Sequence, residues 1–453
     1  MEKPLVEWGL PAGGREALKR AVCAEIDRRK DDIFAVGEAI WRTPEMGFKE
    51  FKTAARVVEE FRKLDIPYRE GIAITGVKGM LQGGRSGPCV AVLGELDALG
   101  VADHPEADPA TGAVHACGHN AQIANLIAVA MGLVGSGVLD ALAGRVALIA
   151  VPAEEYVEVE YRSDLRRQGK LEFLGGKPEL IRLGELDDVD LAMMTHLSSS
   201  AEDGKVGIAV SSNGCLAKQI QFIGRAAHAG GAPHRGVNAL AAANVALAAI
   251  NAQRETFRDE DSIRVHPIIT KGGDVVNVIP ADVRMETYVR GKTVEAIVAA
   301  DAKVDRALRA GALALGAKVR IQTLPGYLPQ VNDPLLGEIF RANAIATYGP
   351  DQVTQGRHRG GSTDMGDVEH IMPAIHPYHG GASGMGHGKD YAIEDPEAAY
   401  LGAAKLMAMT VIDLLAQDAL MAKDVLARSK PRMTKDEYLA FMQSMFRDEL
   451  YEG

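Results

Sequence analysis

The run Val146-Ala147-Leu148-Ile149-Ala150-Val151 passes without a polar interruption into Pro152-Ala153-Glu154-Glu155. An apolar run this short, closed by a proline, fits a strand buried on both faces. Cys89-Val90-Ala91-Val92-Leu93-Gly94 is a second such strand, with Glu95-Leu96-Asp97 at its C-terminal end. Val189 to Thr195 is a third, ending at His196. Helical patterns lie around them. Ala21, Ile26, Ile33, Val36 and Ile40 recur at roughly helical spacing, Thr43 to Gly47 breaks that run, and Glu50 to Leu64 resumes it. Ala121 to Val134 reads as an apolar helix, whereas Tyr156 to Lys177 reads as charged and irregular. Buried strands alternating with helices predict an α/β domain with a mostly parallel sheet flanked by helices. Such sheets carry their chemistry in the loops beyond the carboxyl ends of the strands, where these carboxylates and His196 stand.

The pattern changes after about Ser212. Leu216 to Gly224 alternates as a half-exposed strand, Gly236 to Arg254 is an Ala-rich helix, and Ser262 to Lys271 and Asp282 to Arg290 are strands. Thr293 to Leu315 is helical and Lys318 to Leu324 is a final strand. That order predicts a ferredoxin-like α+β domain inserted into the larger one. With 453 residues, two domains are expected: residues 1–212 and 330–453 as the two parts of the α/β domain, and 213–329 as the insert. A long helix, Pro396 to Ala416, closes the larger domain. A capping box, Thr434-x-x-Glu437, opens a last helix.

A net charge of −11 argues against nucleic acid or an anionic membrane as the main partner. No uninterrupted apolar run approaches the roughly 20 residues that span a bilayer, and Met1 to Trp8 lacks the basic-then-apolar pattern of a secretory signal. Four scattered cysteines, Cys23, Cys89, Cys117 and Cys215, read as reduced thiols of a cytoplasmic protein.

The densest chemistry is His115-Ala116-Cys117-Gly118-His119-Asn120. A thiolate and an imidazole one residue apart, entering a helix, form a plausible transition-metal anchor; the bland alternative is core packing. Glu154 and Glu155 are adjacent, so their carboxylates point in different directions. One can bind a cation while the other handles a proton, a pairing that metal-assisted hydrolysis needs. His196 and His387, the latter in the Gly-rich stretch 380–388, complete a donor set. His376 and His379 compete with His387 for that place.

Read together, Glu95-Leu96-Asp97-Ala98-Leu99, His115 to Asn120, Pro152 to Glu155, Gly224-x-x-x-His228-Ala229 with Pro233-His234, and Asn277-Val278-Ile279-Pro280 occur in one order. The chain thereby resembles the metallo-amidohydrolases and peptidases that include aminoacylases, N-acyl-amino-acid hydrolases and aminobenzoyl-glutamate hydrolase. The segment Gly361 to Val368 is most similar to the last branch. The resemblance implies a zinc-peptidase-like catalytic domain with an inserted lid and dimerisation domain. It implies Cys117, His119, Glu155, His196 and His387 as ligands of one or two divalent transition metals, manganese or zinc first, cobalt or nickel next. It implies Glu154 as general acid/base, His228 as oxyanion donor, and His228 with Asn277 as substrate-holding residues. The partners implied are a small substrate carrying a carboxylate and a second copy of the chain, with no nucleic acid and no membrane. Two departures stand out: Asn120 replaces an Asp common in relatives, and Glu95 stands where distant relatives use a His ligand. The charged insert Tyr156 to Lys170, with Arg162, Arg166 and Arg167, is a solvated face or a guide for an anionic substrate.

The expected reaction is hydrolysis of the amide of an N-acyl amino acid, an aminobenzoyl-glutamate-like molecule or a dipeptide. The same site would alternatively deaminate an activated aromatic amine. A third reading is a ligand-binding relative without catalysis.

Overall fold

In the computed structural model, residues 12–356 and 358–452 are described; the signal-peptide reading of Met1 to Trp8 falls outside them. The described chain divides into two compact units, one of residues 12–210, 331–358 and 367–434, the other of residues 211–330, 359–366 and 435–452.

The first unit is built on a six-stranded sheet in the order Tyr68–Ile72, Gly76–Gln82, Ala143–Val151, Arg85–Glu95, Leu191–Met193, Ala374–Ile375. The last four strands run parallel, and the first two form an antiparallel ribbon along one margin. Residues Cys89 to Glu95 and Val146 to Val151 are buried throughout, as their unbroken apolar composition requires. The strand before His196 does not neighbour the strand before Glu155, because Arg85–Glu95 lies between them. His196 itself opens a two-residue strand, His196–Leu197, in a separate small sheet, parallel to Tyr378–His379.

Helix His119–Gly135 is buried on every side from His119 to Leu133, the condition of a helix apolar all round. It packs against helices Ala12–Arg28, Lys30–Trp41 and Ala403–Arg428. The apolar stretch Ala398–Arg428 is long and apolar enough to cross a membrane by length and composition. Yet 78% of its apolar window is buried inside the protein, which is the condition of a core helix. The predicted end at Ala416 is a kink: Gln417, Asp418 and Ala419 take positive φ before the helix resumes to Arg428.

The second unit has the ferredoxin-like order. Strands Gly214–Ile223, Ile268–Lys271, Asp282–Gly291 and Lys318–Tyr327 pair antiparallel, with helices Ala239–Ala252 and Val294–Leu315 packed on the sheet. The predicted strand 262–271 is two short pieces, Arg264–Val265 and Ile268–Lys271. Two stretches expected in the α/β domain, 359–366 and 435–452, belong here instead. Helix Lys435–Ser444 buries Tyr438 and Met442, and Arg447–Tyr451 adds a strand beside Lys318–Tyr327. Its sequence Arg-Asp-Glu-Leu-Tyr has no apolar pattern. Ion pairs hold it: Arg320 to Asp448 at 2.6 Å, Arg309 to Glu449 at 2.6 Å, and Lys318 to Glu452 at 2.6 Å.

Candidate metal centre

The two central strands of the parallel layer deliver functional side chains where they end. Arg85–Glu95 delivers Glu95 and then Asp97, and Ala143–Val151 leads through Pro152 and Ala153 to Glu154 and Glu155. All four carboxylates are buried. Cys117 lies in the turn before helix His119–Gly135, whose N-cap is Gly118 at φ 86°. A Cβ there would sit 2.6 Å from Tyr391 Oη and 2.9 Å from Leu197 Cβ, so glycine is required by both backbone and space. The loop carrying His387 is tied to the same turn, its backbone N–H donating to the Ala116 carbonyl at 2.8 Å.

Cys117 Sγ stands 3.2 Å from His196 Nε2, and Glu155 Oε1 stands 3.2 Å from His387 Nε2. Donor atoms of Cys117, His119 and His196 lie within 4.8 Å of one another, as do those of Cys117, Glu155 and His387. Cys117 is common to both groups. A third group, Glu95, His119 and Glu154, adjoins them, with His119 Nε2 3.0 Å from Glu95 Oε2 and 4.0 Å from Glu154 Oε2. The neighbouring glutamates therefore diverge as their adjacency predicts: Glu155 faces Cys117 and His387, and Glu154 faces His119.

Buried groups fix the orientation of the ligating candidates. Asp97 receives the Glu155 backbone N–H at 2.8 Å on Oδ2, and His119 Nδ1 faces the Asp97 carbonyl at 2.9 Å. That bond sets the His119 tautomer and leaves Nε2 toward the cluster. His196 Nδ1 likewise faces the Leu197 carbonyl at 2.8 Å, turning Nε2 to Cys117.

Burial and the Glu155 carboxylate push the Cys117 thiol up, but the imidazoles of His196 and His119 outweigh them and bring it down to about 6. The Glu155 carboxylate, then its hydrogen-bonding contacts, raise His387 to about 11. Burial disfavours charge on His119, yet Glu95 and Cys117 raise it well above the ordinary imidazole value. Burial likewise opposes the charge on Glu95, and the Lys177 ammonium overcomes it, holding Glu95 well below the carboxylate range. The cluster is thus a buried concentration of anionic donors balanced by imidazolium.

Two atoms test whether a cation fits. His119 Nε2 and Glu155 Oε1 are buried without a hydrogen-bond partner in proper geometry, although each lies close to a charged neighbour. A thiolate, three imidazoles and a carboxylate match the donor preference of zinc and of the later divalent metals. The residues fit one or two such ions.

The predicted residues separate clearly. Cys117, His119, Glu155, His196 and His387 come together, with Glu154 beside them. His379 does not join: its Nδ1 faces the Gly380 carbonyl, and burial lowers it to about 4. His376 is not among the clustered donors either. Asn120 points away, its amide donating to Tyr400 Oη at 3.1 Å, so an Asp-to-Asn departure there does not remove a donor from this cluster. His228 and Asn277 lie in the second unit, both exposed. Ala229 N–H donates to the Asn277 carbonyl at 2.9 Å, and His228 Nδ1 accepts from Gly231 N–H at 2.9 Å. The second bond leaves Nε2 of His228 as the N–H donor.

The supporting roles of Asp97, Lys177 and Arg162 were not read from the sequence. Asp97 was visible at a strand end. Lys177 and Arg162 were hidden in a segment read as irregular and charged, which in fact contains helix Val159–Arg167 and the start of helix Gly176–Leu183. Both side chains are wholly buried. Lys177 Nζ meets Glu95 Oε1 at 2.5 Å.

Residues 210–314 match the peptidase dimerisation domain of the M20 family. A mouse (Mus musculus) Xaa-Arg dipeptidase is 29% identical over 447 residues, covering 93% of this chain and 94% of its own length. An N-acyl-L-amino acid amidohydrolase of Geobacillus stearothermophilus is 28% identical, covering 76% and 90% respectively. Among solved structures, a Bacillus subtilis dinuclear metal binding peptidase from the M20 family superposes with a TM-score of 0.62 at 21% identity, over 86% of this chain and 99% of its own.

Proposed function

We propose that this chain, a member of the M20 family of metal-dependent amidohydrolases and peptidases, cleaves the amide bond of a small N-acyl amino acid or dipeptide that carries a free carboxylate. The observation that carries the reading is the convergence of four donors on a shared Cys117, with Glu154 beside them but facing His119. Cys117, His119, His196, Glu155 and His387 would hold one or two divalent ions. Such ions, when bound, lower the pKa of water and polarise a carbonyl oxygen.

The remaining work falls to the protein. Glu154 takes the proton of the attacking water and delivers it to the leaving nitrogen, a transfer its carboxylate can make in both directions. Asp97 keeps His119 and Glu155 in register for this. His228, with Nε2–H outward, is assigned to donate to the oxyanion that develops on the carbonyl oxygen. Asn277, held against the same backbone turn, is assigned to the substrate. The dimerisation-domain match supports self-association through the second unit. A ligand-binding relative without catalysis is disfavoured, because Cys117 and His387 lie together rather than apart.

The test is product analysis. The protein, loaded separately with manganese and zinc, is given N-acyl amino acids, dipeptides with neutral and basic C-terminal residues, aminobenzoyl-glutamate and aminobenzoates. Release of a free amino acid is expected. Ammonia release from an aminobenzoate, with no amide cleaved, would replace this reading by aromatic deamination.

A further inference from the structure

The turn that presents Glu154 and Glu155 is not self-supporting. Ala153, immediately before it, sits at φ 53° without being glycine, a conformation that persists only where the surroundings enforce it. Four hydrogen-bonding groups around the turn are taken up by buried side chains. Ala153 N–H donates to Glu50 Oε1 at 2.7 Å, and Glu155 N–H donates to Asp97 at 2.8 Å. The carbonyls on either side of Glu154, those of Ala153 and Glu155, both accept from Arg162: Nη1 reaches Ala153 O at 3.1 Å, and Nη2 reaches Glu155 O. Nη1 also reaches Leu174 O at 2.8 Å.

Arg162 is wholly buried. Its guanidinium stacks near Phe48 and Tyr156, at 5.3 and 5.9 Å from the ring centroids. Phe48, Ala153, Leu165 and Leu171 form a small apolar cluster that pins the same helix to the turn. Gly47 completes the fit, since a Cβ there would collide with Arg162 Nη2 and stand 2.8 Å from Ala153 Cβ. A cation enclosed this way, spent on main-chain carbonyls, guides no substrate.

We infer that Arg162 is a positioning residue: its planar fork grips the two carbonyls flanking Glu154, so that Glu154 is held toward His119 while Glu155 is held toward Cys117 and His387. The assignment rests on the proposed function for the role of Glu154, and on geometry alone for the placing of Glu155. A lysine cannot replace it, because a single ammonium lacks the fork that spans three carbonyls.

The test uses the full chain with Arg162→Ala, Arg162→Lys and, as a control, Arg166→Ala. Arg166 belongs to the same helix and bonds Glu172, half-exposed. Cobalt(II) is titrated into metal-depleted protein and followed by the thiolate-to-cobalt absorption of Cys117; kcat and KM are measured separately. Both Arg162 variants are expected to lose about tenfold to a hundredfold in cobalt affinity and in kcat, the usual cost of removing an outer support. KM should stay within about twofold of wild type by the same reasoning, since the substrate is not touched. Millimolar guanidinium should restore both quantities in Arg162→Ala and change neither in Arg166→Ala. Wild-type cobalt affinity in either Arg162 variant, or a loss in Arg162→Ala that guanidinium leaves unchanged, overturns the inference. Should Arg162→Ala not fold, the cobalt affinity of Arg162→Lys decides. If the wild type hydrolyses nothing, the proposed function fails while the cobalt arm still decides this one.

Discussion

Lys177 and Glu95 form an ion pair at 2.5 Å with neither side chain exposed, one residue pair away from the metal-ligand candidates. Replacing Lys177 by Met keeps the volume and leaves Glu95 as a buried carboxylate facing His119. Breaking a buried pair from one side costs about 3–5 kcal/mol. Gln122 still donates to Glu95 Oε2 at 2.8 Å, which places the expected loss near the lower end, about 3 kcal/mol. For a unit of this size that corresponds to a drop in Tm of roughly 4–6 °C. The sign with pH follows from the depressed Glu95. In the wild type its ionised form contributes stability above the unfolded carboxylate value of about 4.3, and this is lost on acidification. In Lys177→Met the largest depressing charge is gone and burial drives the carboxyl upward against the remaining imidazoles. The penalty should therefore shrink as pH falls and Glu95 takes up a proton, by at most about 1.4 kcal/mol per pH unit. Calorimetry on metal-free protein at several pH values measures it, with Glu95→Gln/Lys177→Met closing a double-mutant cycle. The double variant should recover most of the loss. A single variant within about 0.5 kcal/mol of wild type, the scatter of ordinary surface changes, would refute the reasoning.

Two further outcomes are expected. Metal-free protein treated with iodoacetamide at pH 7 should be alkylated at Cys117, whose thiol is lowered to about 6, and not at Cys89, which burial pushes up to about 11; peptide mapping reads this, and bound metal should protect Cys117. In the second unit, Lys218 lies between Asp301 and Asp305 at 2.7 and 2.5 Å, and Arg447 from the tail supplies the second positive charge. Since Arg447 is partly exposed, Arg447→Ala should cost only about 1 kcal/mol, yet hydrogen exchange should speed up along Lys318–Tyr327 as the strand Arg447–Tyr451 frays.

The parallel layer and its donors were legible because the sequence states them locally. Unbroken apolar runs mark strands buried on both faces, and Cys117, His119, Glu154 and Glu155 stand at or just beyond element ends. What stayed hidden depends on partners far along the chain. Arg162 and Lys177 carry full charges in a charged stretch, and nothing nearby announces that the carbonyls of Ala153 and Glu155 or the carboxylate of Glu95 await them. The tail misled for a related reason. Its capping box does open a helix, Lys435–Ser444, but Arg447–Tyr451 joins a sheet edge through paired charges, a pattern that hydrophobic periodicity does not register. Asn120 shows the converse, a sequence neighbour that is not a neighbour in the site. It neighbours His119 in sequence, and the first turn of the helix carries its side chain to Tyr400 rather than to the cluster.

The most direct measurement compares Glu154→Gln with wild type for cobalt binding and for turnover on whichever substrate the panel identifies. If Glu154 moves the proton while Glu155, Cys117 and the three histidines hold the metal, the variant binds cobalt with wild-type stoichiometry and an unchanged thiolate band, and kcat falls by about a hundredfold or more. A variant that turns over like wild type, or one whose activity is lost together with its cobalt, would contradict that division of labour.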